Sequence, residues 1–199
     1  ASTFPTEARA GEQRADAQGR AGVNPLRFQV TLRVPADELA VIQRVHQGVG
    51  YEAQLAQRIR EGFAEAPAAG QISAFGQTFI AAQPGEPPYA VESHPHPGDL
   101  ASNLRAIGEA RRQADWVLVS LHSHEQGARR EEPALFAIEF AHAAIDAGAD
   151  AVVGHGPHVL RGLEIYRGRP IFYSLGNFIF QNETLAPVPQ DLYGKYHLP

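Results

Sequence analysis

Two short apolar runs, one over 116–121 (WVLVSL) and one over 151–153 (AVV), flank a helical pattern that extends from Pro133 to Ala147. This strand, helix, strand succession constrains the fold more than any other stretch of the chain. A crossover of this kind is right-handed and leaves its two strands parallel. Both strands therefore end on the same edge of one sheet, which is where open α/β sheets bind their ligands. His122 closes the first strand, while His155 and His158 follow the second within Gly154-His155-Gly156-Pro157-His158. Glycine and proline let the backbone turn sharply there, so the three imidazoles are predicted to converge. Three such ligands suit zinc, manganese, iron or nickel.

Beside them, His124 and Glu125 are expected to orient a ligand, touch substrate or transfer a proton, since imidazoles and carboxylates commonly support metal ligands. Downstream, LEIYRGRPIFYS reads as two strands around a tight Arg-Gly-Arg-Pro connection, with Gly176-Asn177 following. If those strands pair as a hairpin, Asn177 reaches the back of the His158 turn; otherwise asparagine is a turn residue. Histidines elsewhere are read as structural: His46 near a helix C-terminus, His142 within the apolar helix, and His94 and His96 among prolines.

Upstream, residues 7–30 show neither strand nor helix period and read as a long connecting loop. From Pro35, Leu39, Ile42 and Val45 mark one helix, and Tyr51, Leu55, Ile59 and Phe63 mark a second after Gly48-Val49-Gly50. A β-hairpin turning near Phe75-Gly76 completes a unit over 35–82. The next stretch, QPGEPPYAVESHPHPGD, reads as a proline-rich linker, and Gly98-Asp99 as the N-cap of a helix over 99–113. In that helix Leu100, Leu104 and Ile107 face inward and Arg105, Arg111 and Arg112 outward. Trp116 is assigned to core or rim packing, and Arg129 and Arg130 to the charges of a polar loop. Periodicity is lost after Phe180, so the tail, His197 included, is expected on the surface.

Length and composition fit one domain. The chain has 199 residues, of which 44% are hydrophobic and 20% charged. Its 17 Lys and Arg against 22 Asp and Glu give a net charge of −5, which argues against a nucleic-acid surface. There is no cysteine, hence no disulfide framework and no thiolate metal site. The apolar runs are far shorter than the roughly 20 residues that cross a bilayer.

The blocks SLHSHE at 120–125, GADAVVGHGPHVLRGLEIYRGRPIFYSLGNFIF at 148–180 and ASTFPTEARAG at the start resemble the CapA family of capsule or poly-γ-glutamate synthesis proteins. That family is in turn similar to the calcineurin-like metallophosphoesterases. The resemblance implies an α/β fold, a layered α/β sandwich of the metallophosphoesterase type, with a dinuclear centre of manganese, zinc or iron at the strand ends. By it, His122, His155 and His158 match late metal-ligand positions. It implies hydrolysis of a phosphoester or related bond, an anionic cell-envelope polymer as substrate, a polymer synthase complex as partner, and a place in the cell envelope. The alternative is a non-catalytic factor that binds metal or polymer and assists synthesis or export.

The resemblance also implies earlier blocks, a strand-ending Gly-Asp, an Asn-Leu-Glu and an Asn-His, which this sequence does not carry. The chain is accordingly read as one domain, 1–199, comprising the C-terminal portion of the family fold and lacking its N-terminal half, with the metal-site core at 99–180. Three histidines hold one ion with open positions. The expectation is therefore about one metal per chain, little hydrolysis, and association through an unpaired sheet edge.

Overall fold

The computed structural model describes residues 1–3, 9–11 and 14–179. Among the described residues there are four helices and eight strands, the strands forming two four-stranded sheets. The first has the order β2-β3-β1-β4, with β1 Phe28–Val34, β2 Gln71–Ala74, β3 Gln77–Ala81 and β4 Ala90–Pro95. The second has the order β5-β6-β8-β7, with β5 Leu118–His122, β6 Ala151–His155, β7 Leu163–Tyr166 and β8 Arg169–Phe172. The helices are α1 Ala36–Gly48, α2 Tyr51–Arg60, α3 Pro97–Arg111 and α4 Leu135–Asp146. None of the described helices is long and apolar enough to cross a membrane.

The second sheet contains the strand, helix, strand unit. β5 and β6 run parallel with Val119 opposite Val152 and His122 opposite His155, and β8 adds a further parallel strand. Along β5, Val119 and Leu121 are buried while Leu118 and Ser120 are exposed, so period-2 alternation turns Leu118, Ser120 and His122 to one face. Val119, Leu121, Val152 and Ile171 meet Phe136, Phe140 and Ile145 of α4 in the main core. Phe136 and Phe140 have no exposed surface, and burial of each contributes about 1.5–3 kcal/mol. On the other face Leu118, Leu163 and Ile165 are exposed.

Helix α4 joins the two sheets. Ala134 at its N-cap offers no side-chain acceptor, and the Phe136 amide donates instead to Ser93 Oγ of β4 at 3.2 Å. The Phe136 ring stacks on Phe28 of β1, centroids 4.3 Å apart. Asp99, 5% exposed, receives the Arg27 backbone amide and both Nε and Nη2 of its guanidinium, tying β1 to α3. That pairing holds the Asp99 carboxyl below the usual carboxylate range.

Several expectations change. The proline-rich stretch contains β4, which pairs antiparallel with β1 from Phe28 opposite Pro95 to Arg33 opposite Ala90. β4 lies at a sheet edge, where a missing proline N–H is tolerated. Strand β1 itself emerges from the region read as loop, and its partners come from residues 78–81 and 90–95. The N-cap of α3 is His96; Asp99 sits inside the first turn. Arg111 is not simply outward, since Nη1 binds Asp150 Oδ2 at 2.7 Å. Trp116 is 77% exposed and therefore at the rim, not in the core. Arg129 pairs with Glu132 within the loop, whereas Arg130 reaches across to the Pro157 carbonyl. The assignments at Phe180, in the tail, at His197 and for most of the Thr-Phe-Pro block lie outside the described residues.

Candidate functional site

The parallel register puts His122 and His155 side by side, with their Nδ1 atoms 3.1 Å apart. His122 Nε2 lies 3.2 Å from His124 Nε2. The His124 and His158 ring centroids are 5.6 Å apart. Four imidazoles thus form a chain at the C-terminal ends of β5 and β6. Ser120, two residues before His122 on the same face, sets its Oγ 2.8 Å from His155 Nε2.

Backbone geometry makes this approach possible. A Cβ on Gly154 would stand 2.3 Å from the Tyr173 carbonyl oxygen, so only glycine allows the chain after β8 to lie against β6. Gly156 has φ +121 and an added Cβ would press on the Ser123 backbone at 3.0 Å. His158 itself is left-handed at φ 58, unfavourable for a residue with a side chain. Such strain tends to be kept where function needs it.

Asn177 reaches His158 through hairpin register. Arg167 and Gly168, both at positive φ, turn β7 into β8, with Leu163 opposite Phe172. The same antiparallel register continues to a Leu160–Leu175 bridge. Two residues further along it sets His158 against Asn177, whose Oδ1 lies 2.8 Å from His158 Nδ1. An amide oxygen there accepts from Nδ1–H, leaving Nε2 as the imidazole's lone-pair nitrogen.

Glu125 is turned toward hydroxyls. Thr3 Oγ1 donates to its Oε2 at 2.9 Å and Ser123 Oγ at 3.0 Å. Burial is the first cause that pulls the His122 imidazole below its ordinary pKa, with His155 and His124 adding to it; burial likewise depresses His155. Both rings are consequently neutral at neutral pH, the form in which imidazole ligates metals.

Arg161 was not among the sequence candidates. It is 9% exposed, donates from Nη1 to the Glu125 carbonyl at 2.8 Å and from Nε to the Arg130 carbonyl at 3.1 Å, and leaves Nη2 without a hydrogen-bond partner among the described residues. Arg130 Nη2 returns a bond to the Pro157 carbonyl at 3.3 Å. The two arginines thereby tie the loop carrying His124 and Glu125 to the turn carrying His158. A buried arginine within Val-Leu-Arg-Gly-Leu is only visible as an arginine in an apolar stretch. Ser120, by contrast, follows from strand period alone.

The donor set fits a borderline divalent ion in its chemistry. Neighbouring ring nitrogens at 3.1 and 3.2 Å are near the roughly 3.3 Å edge expected when two imidazoles share one ion at about 2.0–2.1 Å. The arrangement is not that of a complete ligand set. His122 turns its two nitrogens to different neighbours, and among the described residues no three His, Asp or Glu side chains are grouped to hold an ion.

The family model described as bacterial capsule synthesis protein PGA_cap matches residues 54–182. Uncharacterized protein y4sH of Sinorhizobium fredii is 37% identical over 196 residues, 98% of this chain and 39% of its own length. PGA biosynthesis protein CapA of Bacillus subtilis is 44% identical over 84 residues, 42% of this chain and 22% of that protein. Capsule biosynthesis protein CapA of Bacillus anthracis is 40% identical over 117 residues, 55% of this chain and 28% of that protein. The chain thus spans at most 39% of the length of these curated relatives.

Proposed function

The chain belongs to the PGA_cap family of bacterial capsule synthesis proteins, and on that premise we propose that it carries the histidine portion of a metal-dependent hydrolytic site acting on a phosphoester or related bond of an anionic cell-envelope polymer. The observation that carries this reading is the chain of imidazoles at two adjacent parallel strand ends, backed by Asn177. His122, His155 and His158 would hold a manganese, zinc or iron ion, and the wider domain of the longer relatives would hold a second. When bound, such an ion lowers the pKa of its water to about 7 and polarises the bond under attack.

The residues around it have separable tasks. Asn177 fixes the tautomer and orientation of His158. Ser120 holds the His155 ring in orientation from the strand face, its hydroxyl able to donate or accept at Nε2. His124, the fourth imidazole, is placed to move a proton between the site and a leaving oxygen, a role for which imidazole is suited near neutral pH. Glu125, held by Thr3 and Ser123, raises the proton affinity of His122 by its charge and so opposes the effect of burial.

A second reading, a non-catalytic accessory to polymer synthesis, is favoured by the lack of a three-ligand group among the described residues. A similar protein of Mycobacterium tuberculosis, 36% identical over 89 residues, bears the description probable polyglutamine synthesis accessory protein. Since this chain alone is expected to turn over little, hydrolysis of bis(p-nitrophenyl) phosphate by a longer relative loaded with manganese or zinc separates the two. Turnover that a chelator abolishes and that is lost when the relative's counterpart of His155 is replaced by Ala supports the hydrolase; stoichiometric metal binding by the longer protein without turnover supports the accessory role.

A further inference from the structure

The other sheet carries a second cluster that the histidine site does not use. His46 lies in the last turn of α1, α2 begins at Tyr51, and the β2–β3 turn brings Phe75 against both. The three rings meet at centroid distances of 5.6 to 6.1 Å, with Phe75 edge-on to the other two. They form one wall of a cleft of about 510 Å³, which Gln54, Arg58 and Ser73 also line. That volume lies within the usual range for small-ligand sites.

Two features separate this cleft from ordinary surface packing. His46 is 6% exposed, yet no side-chain hydrogen bond reaches it among the described residues, although it lines the cleft. Its ring nitrogens are not among the buried atoms left without a partner, so they are open to a hydrogen bond from a group in the cleft. Phe75 occupies the first of two left-handed positions in its turn, φ 51, followed by Gly76 at φ 75. Such turns strongly favour Asn, Asp or Gly there. A phenylalanine is strained at that position, and its ring is still 52% exposed.

The lining also states the ligand's chemistry. Arg58 brings a guanidinium, and no Asp or Glu lines the cleft, so an anionic group is favoured over a cation. Aromatic faces carry negative charge density and attract the weakly positive C–H edges of a saturated ring. Hydroxyl groups on that ring match Gln54, Ser73 and the His46 nitrogens. We propose that this cleft binds a carboxylated sugar unit, the pyranose seated against Tyr51 and Phe75 and its carboxylate on Arg58. The site stands on its own geometry and is independent of the metal reading.

Calorimetric titration with tetragalacturonate, maltotetraose and tetraglutamate tests it. The acidic sugar should bind, with maltotetraose at least about tenfold weaker, the loss expected for one charge-assisted hydrogen bond. Arg58→Gln should cost the acidic sugar the same factor and leave maltotetraose unchanged. Phe75→Asn, which suits the left-handed turn, should weaken binding about tenfold or more while the melting temperature holds or rises. A fall in melting temperature with Phe75→Asn would make the ring a packing residue and overturn the proposal. Equal binding of maltotetraose, preference for tetraglutamate, or no binding of the acidic sugar would each overturn it too.

Discussion

A cluster of four histidines and a single histidine, His142, occupy opposite faces of the same sheet, and they differ in what the imidazoles face. On one side His122, His124, His155 and His158 turn mainly toward one another. On the other, His142 of α4 sets Nε2 2.9 and 3.0 Å from the two oxygens of Glu164, and its ring stacks on Tyr166 at 4.0 Å. Tyr173 donates to the same carboxylate at 2.5 Å. A histidine beside a carboxylate has its charge matched and its proton placed, so it serves the fold. His122 and His155, half-buried beside each other, are pulled below the ordinary imidazole pKa, which keeps a lone pair available and suits ligation. Partner identity, more than residue type, separates site from scaffold here.

The harshest way to break the comparison is Gly154→Ala, which drives a methyl into the Tyr173 carbonyl at 2.3 Å. It should cost more than about 3 kcal/mol by overpacking against backbone, read as a lowered urea midpoint, whereas Gly162→Ala, with open space around it, should stay within about 0.5 kcal/mol. Next in size, His155→Ala should weaken zinc or manganese binding by about a hundredfold, measured by titration, and His142→Ala should leave it unchanged. Equal losses in both variants would erase the distinction between the cluster and His142.

Arg161→Leu leaves the Glu125 and Arg130 carbonyls without their donor. It should destabilise by about 2 kcal/mol and weaken metal binding as the His124 loop loosens from the His158 turn. Unchanged amide exchange over residues 123–130 would dismiss that clamp.

Glu164→Gln addresses the other face. The Tyr173 hydroxyl first, then His142, hold the Glu164 carboxyl below its ordinary pKa, and burial with the Glu164 charge raises Tyr173. A depressed carboxyl adds stability above its unfolded value of about 4.3 and loses it as pH falls through the folded value. The wild type should therefore exceed Glu164→Gln by about 1 kcal/mol at neutral pH, a modest figure for a partly exposed pair. The gap should close in acid below that value. Smallest of all, His94→Ala removes an exposed pair with Glu139 at 2.9 Å and should move stability by less than about 0.5 kcal/mol.

Residue spacing alone determined the parallel β5 and β6, the helix between them and the edge at which His122, His155 and His158 emerge, because period and handedness are local rules. The tight β7–β8 connection was likewise legible, and with it the register that brings Asn177 to His158. Strand β1 was not, since its alternation is embedded in an Arg- and Gly-rich stretch and both its partners are far along the chain. Nor was β4, where Pro95 and the prolines flanking the strand signal a loop until an edge position makes Pro95 harmless. Tertiary structure also decided that Glu125 faces hydroxyls, that Asp99 holds Arg27 inside the helix it was expected to cap, and that Arg161 joins two loops from beneath. Each of these is a contact between segments distant in sequence, and no local pattern encodes which side chain will be waiting at the other end.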